Sequence, residues 1–159
     1  MAAFVANSVL QLVVFLIGDQ HYALPVSSVD RVLPMVALSP LPKLPDVVLG
    51  VLNFHGKVIP VLDVCCRLGL PRRDYGPGSY LLVARTIRRT LSLPVDEVLG
   101  VKAVHAEAVT PPDAVLPGIA HVAGIVTLSE GLLFIHDLNA FLSLDEEERL
   151  TEALEEMAE

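Results

Sequence analysis

The chain has 159 residues, 53% apolar and 19% charged, with no tryptophan; it can bury a sizeable core as one domain, and disorder is excluded. The formal charge of −8 sits almost entirely in residues 145–159, whose eight acids and one arginine sum to −7 and leave −1 for the rest. A nearly neutral body with an acidic tail carries no phosphate-binding patch, so neither nucleic acid nor an anionic membrane surface is an expected partner.

The N-terminal stretch MAAFVANSVLQLVVFLI reads as a first β-strand over 8–17. An export or membrane segment is the lesser alternative: the stretch lacks the Lys or Arg of a targeting n-region, and Asn7, Ser8 and Gln11 interrupt it. Its unbroken apolar run, Leu12 to Ile17, is six residues, against about 20 for a membrane-spanning helix. From Ala23, ALPVSSVDRVL predicts a strand ending in Leu-Pro-Val, a short helical turn and another strand. A Pro-rich connector follows, SPLPKLPD at 39–46.

The hairpin GVLNFHGKVIPVLD over 50–63 comes next, with two apolar runs meeting at a His-Gly-Lys turn. His55 and Lys57 flank that turn and are expected in solvent. Asp63 closes the second strand and is placed to cap a short helix opening at Val64-Cys65-Cys66. PRRDYGPGS at 71–79 has the composition of a boundary.

The same order then recurs. GIVTLSEGLLFIHDLNAFL from Gly124 aligns without gaps to GVLNFHGKVIPVLDVCCRL from Gly50, offset by 74, and SLPVDEVLGVK from Ser92 matches ALPVSSVDRVL from Ala23, offset by 69. A second Pro-rich connector, TPPDAVLPG, occupies 110–118, and Asp137 repeats the position of Asp63. Last, Ser143 and Glu146 form a capping-box pattern before an acidic segment that places Leu150, Leu154 and Met157 on one helical face. Many short strands in two similar halves predict an all-β fold of two small barrels. The subdomains are expected at about 18–72 and 79–136, with the strand 8–17 and an amphipathic helix over 144–157 packed on the body.

Catalytic patterns are weak throughout. The five histidines (21, 55, 105, 121 and 136) show no ligand-type pairing, so no metal or cofactor is expected. Cys65 and Cys66 are adjacent, a strained geometry for a disulfide, and suit a reducing cytoplasm; small buried apolar residues are favoured over a redox or arsenical-binding pair. Asp63 and Asp137 evoke paired carboxylates sharing a proton. However, each lacks the hydroxyl and glycine that follow such an aspartate, reading Asp-Val-Cys and Asp-Leu-Asn. A binding module is the leading class, ahead of an enzyme using the cleft between barrels.

The hairpin also carries a resemblance. GVLNFHGKVIPVLDV strongly resembles the chemotaxis coupling protein family, the CheW-like domain, whose hairpin typically reads Gly-x-x-Asn-x-Arg-Gly-x-x-x-Pro-x-x-Asp. Gly50, Asn53, Gly56, Pro60 and Asp63 match it, and VDEVLGV (95–101) with HVAGIVTLSEGLLFIHDLNAFL (121–142) extends the resemblance over residues 8–143. It implies two five-stranded SH3-like barrels and a non-enzymatic cytoplasmic adaptor. Such adaptors join the cytoplasmic tip of chemoreceptors to the regulatory domain of a CheA-type histidine kinase in membrane-associated arrays. An accessory homologue that meets receptors but not kinase is the alternative. The partner-facing positions it implies are Val29, Arg31, Val32, Gly50, His55, Gly56, Ser92, Val95 and Val98, with burial inside a barrel as the competing assignment for each. Two departures stand out: His55 where the family has arginine, and Arg31 where it has an acid.

Overall fold

The computed structural model describes residues 8–71, 73–114 and 121–158. Residues 1–7 of the apolar N-terminus, Arg72 of the expected boundary and 115–118 of the second connector lie outside the described residues. The strands are β1 (Val9–Ile17), β2 (Gln20–Pro25), β3 (Val29–Pro34), β4 (Val48–Phe54), β5 (Lys57–Leu62), β6 (Tyr80–Arg85), β7 (Thr90–Val95), β8 (Glu97–His105), β9 (Val122–Leu128) and β10 (Gly131–His136). The helices are α1 (Val64–Leu68) and α2 (Leu144–Ala158). The repeat is exact in its second part: β9 and β10 follow β4 and β5 at the offset of 74 read from the sequence.

The strands form two five-stranded sheets, β3-β6-β7-β5-β4 (barrel one) and β8-β1-β2-β10-β9 (barrel two). Numbered within each half of the chain, both sheets have the order third, first, second, fifth, fourth. The first two strands of each sheet come from the opposite half. The hairpin β1–β2 lies between β8 and β10, with β2 parallel to β10, and β6–β7 lies between β3 and β5, with β7 parallel to β5. This corrects the division at 18–72 and 79–136. A repeat reports which segments are alike, and like segments fit either sheet equally well.

Alternation along the exchanged strands builds three cores. Leu12 and Val14 of β1 point into barrel two beside Ala23, Val126, Leu133 and Ile135. Val13, Phe15 and Ile17 of the same strand point the other way, into a core shared by both barrels with Tyr22, Leu24, Leu82, Leu93, Val95 and Phe141. Leu81 and Val83 of β6 point into barrel one with Leu52, Ile59 and Val61. A strand buried on both faces needs an unbroken apolar run, which explains LVVFLI at 12–17 and LLVA at 81–84. Barrel one also curls until its end strands approach: the Arg31 guanidinium of β3 lies 4.8 Å from the centroid of the Phe54 ring on β4.

Helix α2 begins at the expected capping box. Ser143 Oγ accepts the Glu146 N–H at 3.1 Å, and Glu146 Oε1 accepts the Ser143 N–H at 2.8 Å. Burial pushes the Glu146 carboxyl pKa up, but the Ser143 N–H and the Arg67 guanidinium at 2.6 Å outweigh it, and the net shift is downward. The buried stripe differs from the expected one: Glu147, Leu150 and Ala153 are buried, whereas Met157 is exposed. Arg89 of the β6–β7 turn makes the difference by pairing with Glu147 at 2.8 Å.

Candidate docking surfaces

Two expected partner-facing residues from different barrels meet in one groove. β3 borders barrel one and β8 borders barrel two; a depression of about 500 Å³ between them is lined by Val32, Gly78, Tyr80, Asp96, Glu97 and Val98. Val32 pairs with Leu82, whose side chain enters the shared core, so Val32 faces the gap between barrels and is 41% exposed. Tyr80, at the end of β6, is 40% exposed. Val98 packs its inner side on the shared core. Asp96 is held in place at the rim: its Oδ2 accepts from Arg73 at 2.6 Å and from the Gly18 N–H at 2.5 Å. A trough that sets Val32, Tyr80 and Val98 beside the carboxylates of Asp96 and Glu97 suits an amphipathic helix laid along it.

A second surface lies at the end of barrel one. The β4–β5 hairpin turns on His55 and Gly56, with φ of 53° and 82°, a two-residue turn of the primed type. Asn53 Oδ1 holds it by accepting the Gly56 N–H at 2.9 Å. His55 and Lys57 are exposed, as expected, and the imidazole meets the Phe54 ring edge-on at 4.2 Å. Arg31 is exposed beside them, and Val29 is half-buried against the shared core.

Three expected docking residues take the competing assignment instead. Ser92 and Val95 are fully buried: β7 is flanked by strands on both sides, with Val95 in the shared core and Ser92 opposite Val61. Gly50 is buried beneath the first Pro-rich connector, which pairs with β4 through Ser39 and Val51 at 2.8 and 2.9 Å. A Cβ at Gly50 would lie 3.0 Å from the Ser39 carbonyl oxygen and 3.2 Å from Leu38 Cβ. Gly50→Ala is therefore expected to destabilise the fold by about 1–3 kcal/mol, measured as a lowered urea midpoint with unchanged slope.

The aspartates do not act as expected either. Neither Asp63 nor Asp137 makes a side-chain cap hydrogen bond. Their backbones carry the shared role: the Asp63 N–H donates to Val47 O at 2.7 Å, and the Asp137 N–H donates to His121 O at 2.8 Å. These bonds fix the strand ends in both halves, and a backbone contact leaves the side chain's direction open. Cys65 is buried and Cys66 exposed, both as thiols. Among the described residues, no three His, Cys, Asp or Glu side chains converge to hold a metal. Sequence reasoning missed Phe54 and Tyr80, which become surface features only where two strands distant in the chain come together.

The CheW-like domain family matches residues 11–146. A probable chemotaxis protein CheW from Rhizobium etli is 28% identical over 87% of this chain and 90% of its own length. The protein FrzA from Myxococcus xanthus is 33% identical over 79% of each chain. Among solved structures, the scaffolding protein TtCheW from Thermoanaerobacter tengcongensis superposes with a TM-score of 0.78 at 26% identity, covering 87% of this chain and 96% of that one. With the family match spanning both barrels and their exchanged strands, this chain belongs to the CheW-like family of chemotaxis coupling adaptors.

Proposed function

We propose that this chain is a non-enzymatic adaptor that holds a chemoreceptor's cytoplasmic tip in the groove between its barrels while engaging the regulatory domain of a CheA-type histidine kinase. The observation that carries this reading is the convergence of Val32, Tyr80 and Val98, from strands of both barrels, on one open trough. A receptor tip is a helical hairpin, and a helix lying in such a trough buries one apolar stripe while Glu97 and Asp96 stay at the rim. Recruitment to a membrane-associated array then comes through the receptor; among the described residues no helix is long and apolar enough to cross a membrane.

Val32→Glu places a charge at the centre of this contact on an already exposed position, so the fold is expected to keep its melting temperature within a few degrees. Receptor-fragment affinity is expected to fall at least tenfold, about 1.4 kcal/mol or more, measured by calorimetry, with kinase-domain binding retained. Unchanged receptor affinity in both Val32→Glu and Tyr80→Ser would remove the groove from the mechanism.

A further inference from the structure

We propose that the mouth of barrel one, where Arg31, Phe54, His55 and Lys57 meet, is a carboxylate-recognition site that binds an Asp- or Glu-bearing segment of the partner protein. The inference rests on the adaptor reading above and deepens it by naming the chemistry that selects the partner.

The site is built by the same alternation that fills the barrel. Leu33 of β3 and Leu52 of β4 pack within barrel one. Arg31 and Phe54 lie two residues from them on the same strand faces, so they close the barrel's end. The guanidinium sits over the Phe54 ring, 4.8 Å from its centroid. A guanidinium held over a ring by its positive charge keeps N–H groups for a planar, two-pronged carboxylate contact. The nearest acid is Asp30, 3.9 Å from Arg31 Nε, with the two side chains 38% and 49% exposed respectively; that separation is too long for a hydrogen bond.

One neighbour adds charge of the same sign. Lys57 is exposed directly opposite Phe54 in the strand register. His55 holds a left-handed backbone at φ 53°, a conformation that asparagine and glycine adopt at lower cost. The turn does not need an imidazole there, yet it fixes one against Phe54. Two cationic side chains and an imidazole thus surround one aromatic on a body whose charge outside the C-terminal segment is only −1. The corresponding turn of barrel two carries Ser129 and Glu130 instead. A molecule with two nearly equivalent barrels thereby presents unlike ends, and an acidic partner segment can tell them apart.

The test uses the isotope-labelled full chain, with a glutamate-bearing helical peptide and its glutamine counterpart as probes. The Arg31 Nε–H, Phe54 and His55 resonances are expected to shift with the glutamate peptide alone. Arg31→Glu combined with Lys57→Glu is expected to abolish the shift and to lower affinity for the receptor or kinase fragment about tenfold or more. Absence of a shift, or an equal shift with the glutamine peptide, overturns the site. So does unchanged fragment binding in the double variant, which would leave the adaptor reading intact. If the glutamate peptide shifts these resonances and neither fragment binds the native chain, carboxylate recognition stands and the adaptor reading falls.

Discussion

Acidifying the protein from pH 7 to pH 4 is expected to remove about 3 kcal/mol of stability through His136 alone, against the 5–15 kcal/mol typical of a domain. His136 ends β10 in the shared core, 2% exposed. Its ring stacks 4.8 Å from Tyr22 and packs near Phe15 and Phe141. Burial pushes its pKa down to about 4. The His121 backbone oxygen favours the charged form, but it already accepts the Asp137 N–H at 2.8 Å, and neither imidazole nitrogen has a hydrogen bond. Burial therefore sets the sign.

Above pH 6.5 the imidazole is neutral in the folded and unfolded chains alike, and its contribution is complete. Between 6.5 and 4 the unfolded chain takes up a proton that the folded chain refuses, so stability falls with pH. Below 4 both states are protonated and the loss levels off. His136→Phe keeps an aromatic ring in place and removes the titration. Urea denaturation at both pH values checks this: the variant is expected to lose about 3 kcal/mol less than the native chain on acidification, and equal losses would exclude His136 as the cause.

Leu150→Ala is expected to cost about 2–5 kcal/mol, although it lies in the most acidic and polar segment of the chain. Its side chain is fully buried in the shared core, while Leu144, one and a half turns earlier, is 66% exposed. The helix is held down on the same side by Arg67 to Glu146 at 2.6 Å and by Arg89, which reaches both Glu147 and Thr151 at 2.8 Å. Leu144→Ala is expected to stay within about 0.5 kcal/mol of native. Matching losses in thermal unfolding would mean that α2 does not dock as a unit.

These two residues also mark what could be read beforehand. The capping box at Ser143 and the turn at His55-Gly56 are local, so their residues announce them directly. The repeat located β9 and β10 because two gapless segments carried the same punctuation. Leu150 was legible as part of an apolar helical stripe, but the end of that stripe was not. Arg89 makes Glu147 a buried position, and no pattern within the helix records a partner 58 residues away.

Ser92 and Val95 were expected on a surface from the family resemblance, with burial as the competing assignment. A strand covered on both faces and one covered on a single face can share the same Leu-Pro-Val sequence. What distinguishes them is the packing around the strand, and β7 lies between β6 of its own half and β5 of the other. Asp63 and Asp137 occupy the right place for caps, yet the recurring feature was a main-chain bond to Val47 and to His121, which side-chain identity does not encode. Arg31 over Phe54 depends on a sheet curling until its ends meet.

The exchange of β1–β2 and β6–β7 between sheets also fixes when the protein can fold during its synthesis. The Leu12–Ile17 run has its lateral partners at residues 97–102 and 20–25, and the strand beside β2 is not made until residue 131 leaves the ribosome. The nascent N-terminal hairpin must therefore wait, its greasy faces open, until β10 at 131–136 has emerged. Such distant pairing is slow and leaves sticky strands uncovered meanwhile. The strands of barrel one are all made by residue 95, so barrel two, which waits for β9 and β10, is the later of the two to close.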